Sequence, residues 1–450
     1  MYGMPLAQAS LLVAAAAVLI AAIQWRHLHP FLALVVVASA FGAAAGFSVG
    51  LTAKTFGSGF SQAVYSPGLV IIGAGFVAGL AESAAAFEAL AALIDRRPWL
   101  RSTKVVSLVG LIAGIAASPA SAFAILMPLL RAVDGGVVTK RKVDATALAL
   151  AMSASHGLAL LSPVSISAAA ILGASLGRMA LFGVPIVVAS VVVGMAWARL
   201  VPVFLREREL LPQKLNPILP MQSGWPAIVL LLATAVPLLM LMIQSLGSMP
   251  DEPLGGGPAR EMLLALGRPL VLLWASIGIM VIGLWRLSGK LLANSTWTGR
   301  MLANVSGTVL IIGAAGALQS LCQETGMSEL LGERLLGVFG GLAVPFFMAA
   351  VIKTLQGSSV VAAIATAGII QPILGTLGLA DEHGKALAAL AVGAGAMTVS
   401  HVNDPFFWLV TTSAGLSPLR GLATLTAGTL LQGVTVVIIL LALSALASGI

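Results

Sequence analysis

Long apolar runs follow one another along the chain at about 7–25, 30–50, 66–94, 104–131, 143–177, 179–204, 226–246, 269–286, 302–336, 340–378, 385–415 and 421–449. A helix needs roughly 20 apolar residues to span a bilayer, and several of these runs are longer than that. The pattern predicts an all-α polytopic membrane protein. The runs around 66–94, 104–131, 143–177, 302–336, 340–378 and 385–415 also carry internal Gly, Ser, Pro or acidic residues. Long runs with such breaks predict helical hairpins or discontinuous helices.

Charge placement sorts the topology. Basic residues gather at Arg26, at Arg96/Arg97/Arg101/Lys104, at Arg131/Lys140/Arg141/Lys142, at Arg199/Arg206/Arg208/Lys214, at Arg286/Lys290/Arg300 and at Arg420, which together hold 17 of the 24 Lys and Arg. If all are cytoplasmic, 104–131 enters and leaves on one side and is a re-entrant hairpin. By symmetry 340–378 is a hairpin opening outward. The expectation is two repeats of about five spans and one hairpin each, with both termini outside. The first covers 1–205 with its broken helix at 143–177, and the second covers 226–450 with its broken helix at 385–415. Residues 206–225 become a cytoplasmic linker and 247–268 the main outside loop.

An internal repeat supports this division. Ile71-Ile-Gly-Ala-Gly matches Ile311-Ile-Gly-Ala-Ala, Ser118-Pro-Ala-Ser121 answers Gln356-Gly-Ser-Ser359, and Ser153-Ala-Ser-His-Gly157 matches Thr398-Val-Ser-His-Val402. The offsets are 240, 238 and 245. An odd number of spans per half gives the halves opposite orientation, the inverted-repeat plan of many transporters.

Composition agrees. The chain of 450 residues is 59% hydrophobic and 9% charged, with a mean hydropathy of +1.05, which no soluble globular domain matches. Its 49 glycines suit close helix packing in lipid. The net charge of +8 sits in short loops, so it reads as topology and not as a nucleic-acid surface. Cys322 is the single cysteine, which excludes an intrachain disulfide and argues against a multi-Cys metal site. Residues 1–10 carry no Lys or Arg, so the first run is expected as a retained span rather than a cleaved signal. Trp25, Trp99, Trp197, Trp225 and Trp285 flank the loops as interfacial anchors.

Chemistry concentrates in Thr398-Val-Ser-His-Val-Asn-Asp-Pro-Phe-Phe-Trp408. Ionisable groups at membrane depth are costly and mark functional sites by default, and Asp404-Pro405 interrupts the helix. Asp404 is either a proton carrier or the cap of the helix after Pro405, and Asn403 with freed carbonyls could bind a coupling cation. Ser155-His156 and Ser400-His401 are repeat-related; each His either lines the site or fixes the break through a neighbouring carbonyl. The hairpin tips, with Ser118 and Ser121 in one and Gln356, Gly357, Ser358 and Ser359 in the other, offer hydroxyls and N–H groups that attract carboxylates, unless the serines only back-bond within helices. Ser162, Ser165 and Ser167 form a similar polar face, and Lys353 either counters an anion or snorkels. Glu82 and Glu324 are further candidates for proton carriage, or helix-end charges near the interface. No His-Glu-x-x-His or Cys pair supports an intramembrane metal, so none is expected.

At these residues the chain resembles the gluconate permease (GntP) family of bacterial symporters, within the ion transporter superfamily. Ser400-His-Val-Asn-Asp-Pro-Phe-Phe-Trp408 is similar to the family's Ser-His-Val-Asn-Asp-Pro-Gly-Phe-Trp, with Phe406 in place of Gly. Gly357-Ser-Ser-Val-Val-Ala-Ala-Ile364 resembles its Gly-Ser-Ala-Thr-Val-Ala-Ala-Ile, and Ser155-His-Gly157 its Thr-His-Gly. The likeness covers most of the chain. Two stretches depart from it: Ala117-Ser-Pro-Ala-Ser121 lacks the Tyr and acid of Phe-Tyr-Glu-Val-Gly, and Leu160-Leu-Ser-Pro-Val-Ser165 lacks the second His of Pro-Pro-His-Pro-Gly-Pro.

The resemblance implies proton-coupled symport of a sugar acid or small hydroxy acid across the bacterial inner membrane. The protein would not be an enzyme, and it would need no cofactor beyond the coupling ion. It also implies a dimer held by a scaffold of spans near 7–50 and 226–286, with the hairpins and broken helices moving as an elevator. Two rivals remain open on the residues alone. One is a cation/proton antiporter using Asn403 and Asp404; the other is an intramembrane enzyme using His401 and Asp404 as an acid–base pair.

Overall fold

The computed structural model describes residues 11, 14–19, 21–23, 26–95, 98–114, 119–134, 137–159, 162–205, 224–247, 257–325 and 341–448. The first hairpin's Ser118 and nearly all of the expected linker 206–225 lie outside these residues, as does part of the expected outside loop. All regular structure among the described residues is helical. In chain order the helices are α1 (Pro30–Ala44), α2 (Val49–Ala63), α3 (Leu69–Ser83), α4 (Ala86–Asp95), α5 (Thr103–Ala113), α6 (Pro119–Asp134), α7 (Val138–Leu158), α8 (Pro163–Leu172), α9 (Leu176–Leu205) and α10 (Trp225–Gly247). They continue with α11 (Gly257–Leu266), α12 (Pro269–Gly283), α13 (Trp285–Leu292), α14 (Ser295–Glu324), α15 (Ala343–Gln356), α16 (Ser359–Ile370), α17 (Glu382–Met397), α18 (Pro405–Ala414) and α19 (Ala427–Ser448).

Among the described residues, four helical stretches are long and apolar enough to cross a membrane: Val138–Leu172, Gly177–Val203, Ser295–Glu324 and Pro418–Ala445. A fifth forms if Gly257–Leu266 and Leu270–Gly283, bent by 61°, count as one. Other apolar helices, such as Pro30–Ala44 and Leu69–Ser83, are shorter.

The broken runs end where local chemistry ends them. The run 66–94 divides between α3 and α4 at Ala85, whose φ is +53°. The runs expected as hairpins each divide into two helices, α5/α6 and α15/α16, and those expected as broken helices into α7/α8 and α17/α18. After each of the latter breaks the helix restarts in the same way. Pro163 and Pro405 occupy the first helical turn, where a missing N–H costs nothing, and Ser162 and Asp404 are the N-caps. Both restarted helices are 10 residues long and stop at a left-handed glycine, Gly173 and Gly415.

The run 302–336 differs from expectation, because its described part lies in the unbroken 30-residue α14. Its small residues serve packing instead. A Cβ on Gly316 would lie 2.8 Å from the Gly59 carbonyl oxygen, so the glycines let α14 and α2 cross at close range.

Two apolar cores meet around the breaks. One joins α1, α6, α14, α18 and the first part of α7. The other joins α8, α15, α16, α17 and α19, with residues of α7 and α9. A third core packs α4, α10 and the ends of α3 and α12. The candidate site lies between the first two.

Candidate functional site

Three helix starts converge on a cavity of about 210 Å³. Pro119 and Ala120 come from α6, Ser358, Ser359 and Val360 from α16, and Asp404, Pro405 and Phe406 from α18. The unpaired N–H groups and dipoles of helix N-termini favour negative charge. The wall is completed by Ser153 and His156 of α7, Gln319 of α14, Lys353 and Gly357 at the end of α15, and Met397 and Ser400 at the end of α17.

The electrostatic centre is a buried ion pair. Lys353 Nζ lies 2.6 Å from Asp404 Oδ2, with side-chain exposures of 2% and 10%. Lys353 is buried along its length, so its ammonium does not snorkel to the protein surface. It also donates to the Gly357 carbonyl at 2.9 Å, so two of its three N–H donors have protein partners. Asp404 Oδ2 takes a second hydrogen bond from Ser400 Oγ at 2.6 Å, and Oδ1 accepts the Phe406 N–H at 2.9 Å. Asp404 therefore caps α18 and faces the cavity at once. Among the described residues it is the one carboxylate in the cavity lining.

Asn403 and His401 stand behind the cavity and lock the second hairpin tip to the break. Asn403 Nδ2 donates to the carbonyls of Thr354 and Leu355 at 2.9 and 3.1 Å. His401 Nε2 lies 2.7 Å from the same Thr354 oxygen; a carbonyl only accepts, so Nε2 carries the hydrogen. These are carbonyls of the last turn of α15, which have no partner within their own helix. The break itself is strained: Val399, a β-branched residue, holds φ at +56°. It is tied to α19 and the segment before it by Ser400 N–H donating to Thr429 Oγ1 at 3.2 Å and by Thr426 Oγ1 donating to the Ser400 carbonyl.

Of the remaining sequence candidates, His156, Gly357, Ser358, Ser359 and Ser400 line the cavity. Ser121, Ser155, Ser162 and Gln356 are buried but not part of the lining. Ser155 donates to the Met152 carbonyl at 3.3 Å, and Ser162 accepts the Ser165 N–H at 3.1 Å as the cap of α8. Glu82 and Glu324 are exposed at the ends of α3 and α14 and also lie outside the lining. Two cavity residues were not singled out from sequence. Ser153 stands three positions before His156 and so shares its helix face, a signal that was available. Gln319 is a lone amide in an apolar run, and only the packing of α14 turns it inward.

No group of three or more His, Cys, Asp or Glu side chains that could hold a metal ion occurs among the described residues.

The family profile described as GntP family permease matches residues 6–446. The chain is 29% identical over 429 residues to a gluconate permease of Pseudomonas aeruginosa, covering 92% of each protein. It is 27% identical to the Gnt-II system L-idonate transporter of Escherichia coli, over 84% of this chain and 86% of that one. The high-affinity gluconate transporter of the same organism is 26% identical over 85% and 86%. The solved structure of the Alcanivorax borkumensis YdaH transporter covers 88% of this chain and 87% of its own at 19% identity, with a TM-score of 0.36, too low to argue a shared architecture. These relatives are permeases and transporters rather than enzymes, and the family match spans nearly the whole sequence: the chain is a multi-pass membrane transporter and belongs to the GntP permease family.

Proposed function

We propose that the protein is a proton-coupled symporter of a small hydroxylated carboxylate, a gluconate-like sugar acid or hydroxy acid. The observation that carries this reading is the buried Lys353–Asp404 pair on the cavity wall. A buried charge without a partner costs several kcal/mol, and the described cavity lining balances one cation with one carboxylate. A monoanion entering alone would leave one negative charge over. A proton on Asp404 removes that excess and frees Lys353 for the substrate carboxylate. Empty carrier and fully loaded carrier are then both neutral, whereas carrier with substrate alone or with proton alone is not. Coupling follows from which states are cheap to move through a low-dielectric interior.

The same chemistry assigns the other residues. Ser358 and Ser359 at the start of α16 and Ser400 beside Asp404 bond substrate oxygens, and His156, Ser153 and Gln319 reach its hydroxyls. The family relatives named for gluconate and L-idonate support a polyhydroxy acid. We further infer that the halves 1–205 and 226–450 are inverted repeats and that the hairpins and broken helices move against a scaffold in a homodimer. The host membrane would be a bacterial inner membrane.

The decisive test is uptake into proteoliposomes of a panel of sugar acids and hydroxy acids under a pH gradient, and separately under a sodium gradient, with wild type beside Asp404→Asn. Acid-driven accumulation that the variant loses supports the symporter. Cation-dependent proton flux with no organic substrate would replace it with the antiporter.

A further inference from the structure

A second cavity, of about 270 Å³, shares α6, α7, α14 and α18 with the first and adds α3. Its wall includes Pro128 of α6, Thr308 of α14, Leu409, Thr412 and Ser413 of α18, and Arg141 of α7. Helices α6, α14 and α18 each line both cavities at different heights. From Gln319 to Thr308, helix rise along α14 gives a separation of roughly 16 Å. Arg141 belongs to the Arg131/Lys140/Arg141/Lys142 cluster, which places the second cavity towards the basic-loop side.

The wall carries an oriented cation. Arg141 Nε donates to Asp134 Oδ2 at 2.6 Å; the aspartate side chain is fully buried and the arginine side chain is 33% exposed. The guanidinium has no other hydrogen bond among the described residues. Its two terminal NH2 groups therefore remain as an open fork, the geometry that takes a carboxylate with two parallel bonds. The hydroxyls of Thr308 and Ser413 have no partner among the described residues either, unlike Thr412, which back-bonds to the Trp408 carbonyl at 2.6 Å.

We propose that this cavity is a second binding station for the transported acid, occupied on the basic-loop side of the membrane. It rests on the symport reading above. Arg141 takes the carboxylate and Thr308 and Ser413 take hydroxyl groups. Thr412 and Ser413 lie at the C-terminal end of α18, where the helix dipole disfavours an anion. This station is therefore weaker than the first, where three helix N-termini point at the ligand, and it suits release.

The test uses the full-length protein reconstituted in one orientation, with gluconate and any other acid found to be carried. Transport is measured from each face in wild type, Arg141→Lys and Thr308→Val/Ser413→Ala. Arg141→Lys keeps the charge that pairs with Asp134 but removes the fork. Both variants should raise KM about tenfold on the basic-loop face, as loss of a charge-assisted or paired hydrogen-bond contact does. On the other face KM should stay within about twofold, which also reports that the variants are folded. KM unchanged on both faces, or raised equally on both, overturns the second station while leaving the symporter standing. A wild type that carries no acid at all overturns both.

Discussion

Gly357 and Asn403 meet backbone against backbone: a Cβ on the glycine would lie 2.5 Å from the Asn403 carbonyl oxygen, and Gly357 holds φ at +73°. The contact docks the second hairpin tip on the break between α17 and α18. It brings Lys353 within 2.6 Å of Asp404. Gly357→Ala should therefore cost about 1 kcal/mol or more from the left-handed backbone alone, with a further loss as the tip is pushed off Asn403. A lowered unfolding temperature in detergent together with uptake reduced below a tenth of wild type is the expected result. A variant with normal uptake would show that the docking does not matter.

Removing one partner of the buried pair should hurt more than removing both. Lys353→Gln leaves Asp404 charged and unpaired, at a cost of about 3–5 kcal/mol, whereas Lys353→Gln/Asp404→Asn leaves neutral, hydrogen-bonding groups. Thermal unfolding should place the double variant closer to wild type than Lys353→Gln. Neither should accumulate substrate.

Asp404→Asn should separate binding from coupling. Asn is as good an N-cap as Asp, so α18 keeps a cap on its Phe406 N–H, while the ionisable group is gone. Lys353 stays available to the substrate carboxylate. Exchange of labelled for unlabelled substrate should persist at a substantial fraction of the wild-type rate, and accumulation driven by a pH gradient should vanish. Loss of both activities together would assign Asp404 to binding instead.

Charge balance predicts that one proton moves with each monoanion and that the cycle is electrically silent. Initial uptake under a fixed pH gradient should change less than about twofold when a potassium diffusion potential of either sign is imposed, since each net elementary charge moved would be worth about 2.3 kcal/mol per 100 mV. A strong dependence on potential would require another stoichiometry.

Glu82→Gln and Glu324→Gln should leave the pH dependence of uptake unchanged, because both carboxylates are exposed at helix ends and neither lines the cavity. A shifted profile in either variant would reopen the assignment of the coupling proton.

Much of the site is written in local chemistry. Ser162-Pro163 and Asp404-Pro405 announce a cap and a restart, and both restarts appear where those residues stand. Gly357-Ser358 announces a left-handed stop and a new N-cap, and α15 ends and α16 begins there. Which of the neighbouring polar residues face the cavity is a finer matter. Ser155 and Ser153 are equally polar, but each position on a helix turns about 100°, so Ser153 and His156 lie about 60° apart and look into the cavity while Ser155, about 160° from Ser153, turns away. The acidic residues divide in the same way. Glu82 and Glu324 interrupt apolar runs as Asp404 does, yet they stand exposed at helix ends.

Hydropathy, prolines and glycines by themselves determined that the chain is a helical membrane protein with paired breaks, because helix starts and stops depend on residues within a turn of one another. They also marked Asp404 as the carboxylate to watch. Only the tertiary structure decided that Lys353 is its partner. The two residues stand on separate helices, and their approach depends on Asn403 and His401 binding the carbonyls at the end of α15. It decided as well that Gln319, on the far wall, faces the same space. Pairings of this kind join residues distant in sequence through the packing of whole helices, so no local pattern along the chain encodes them.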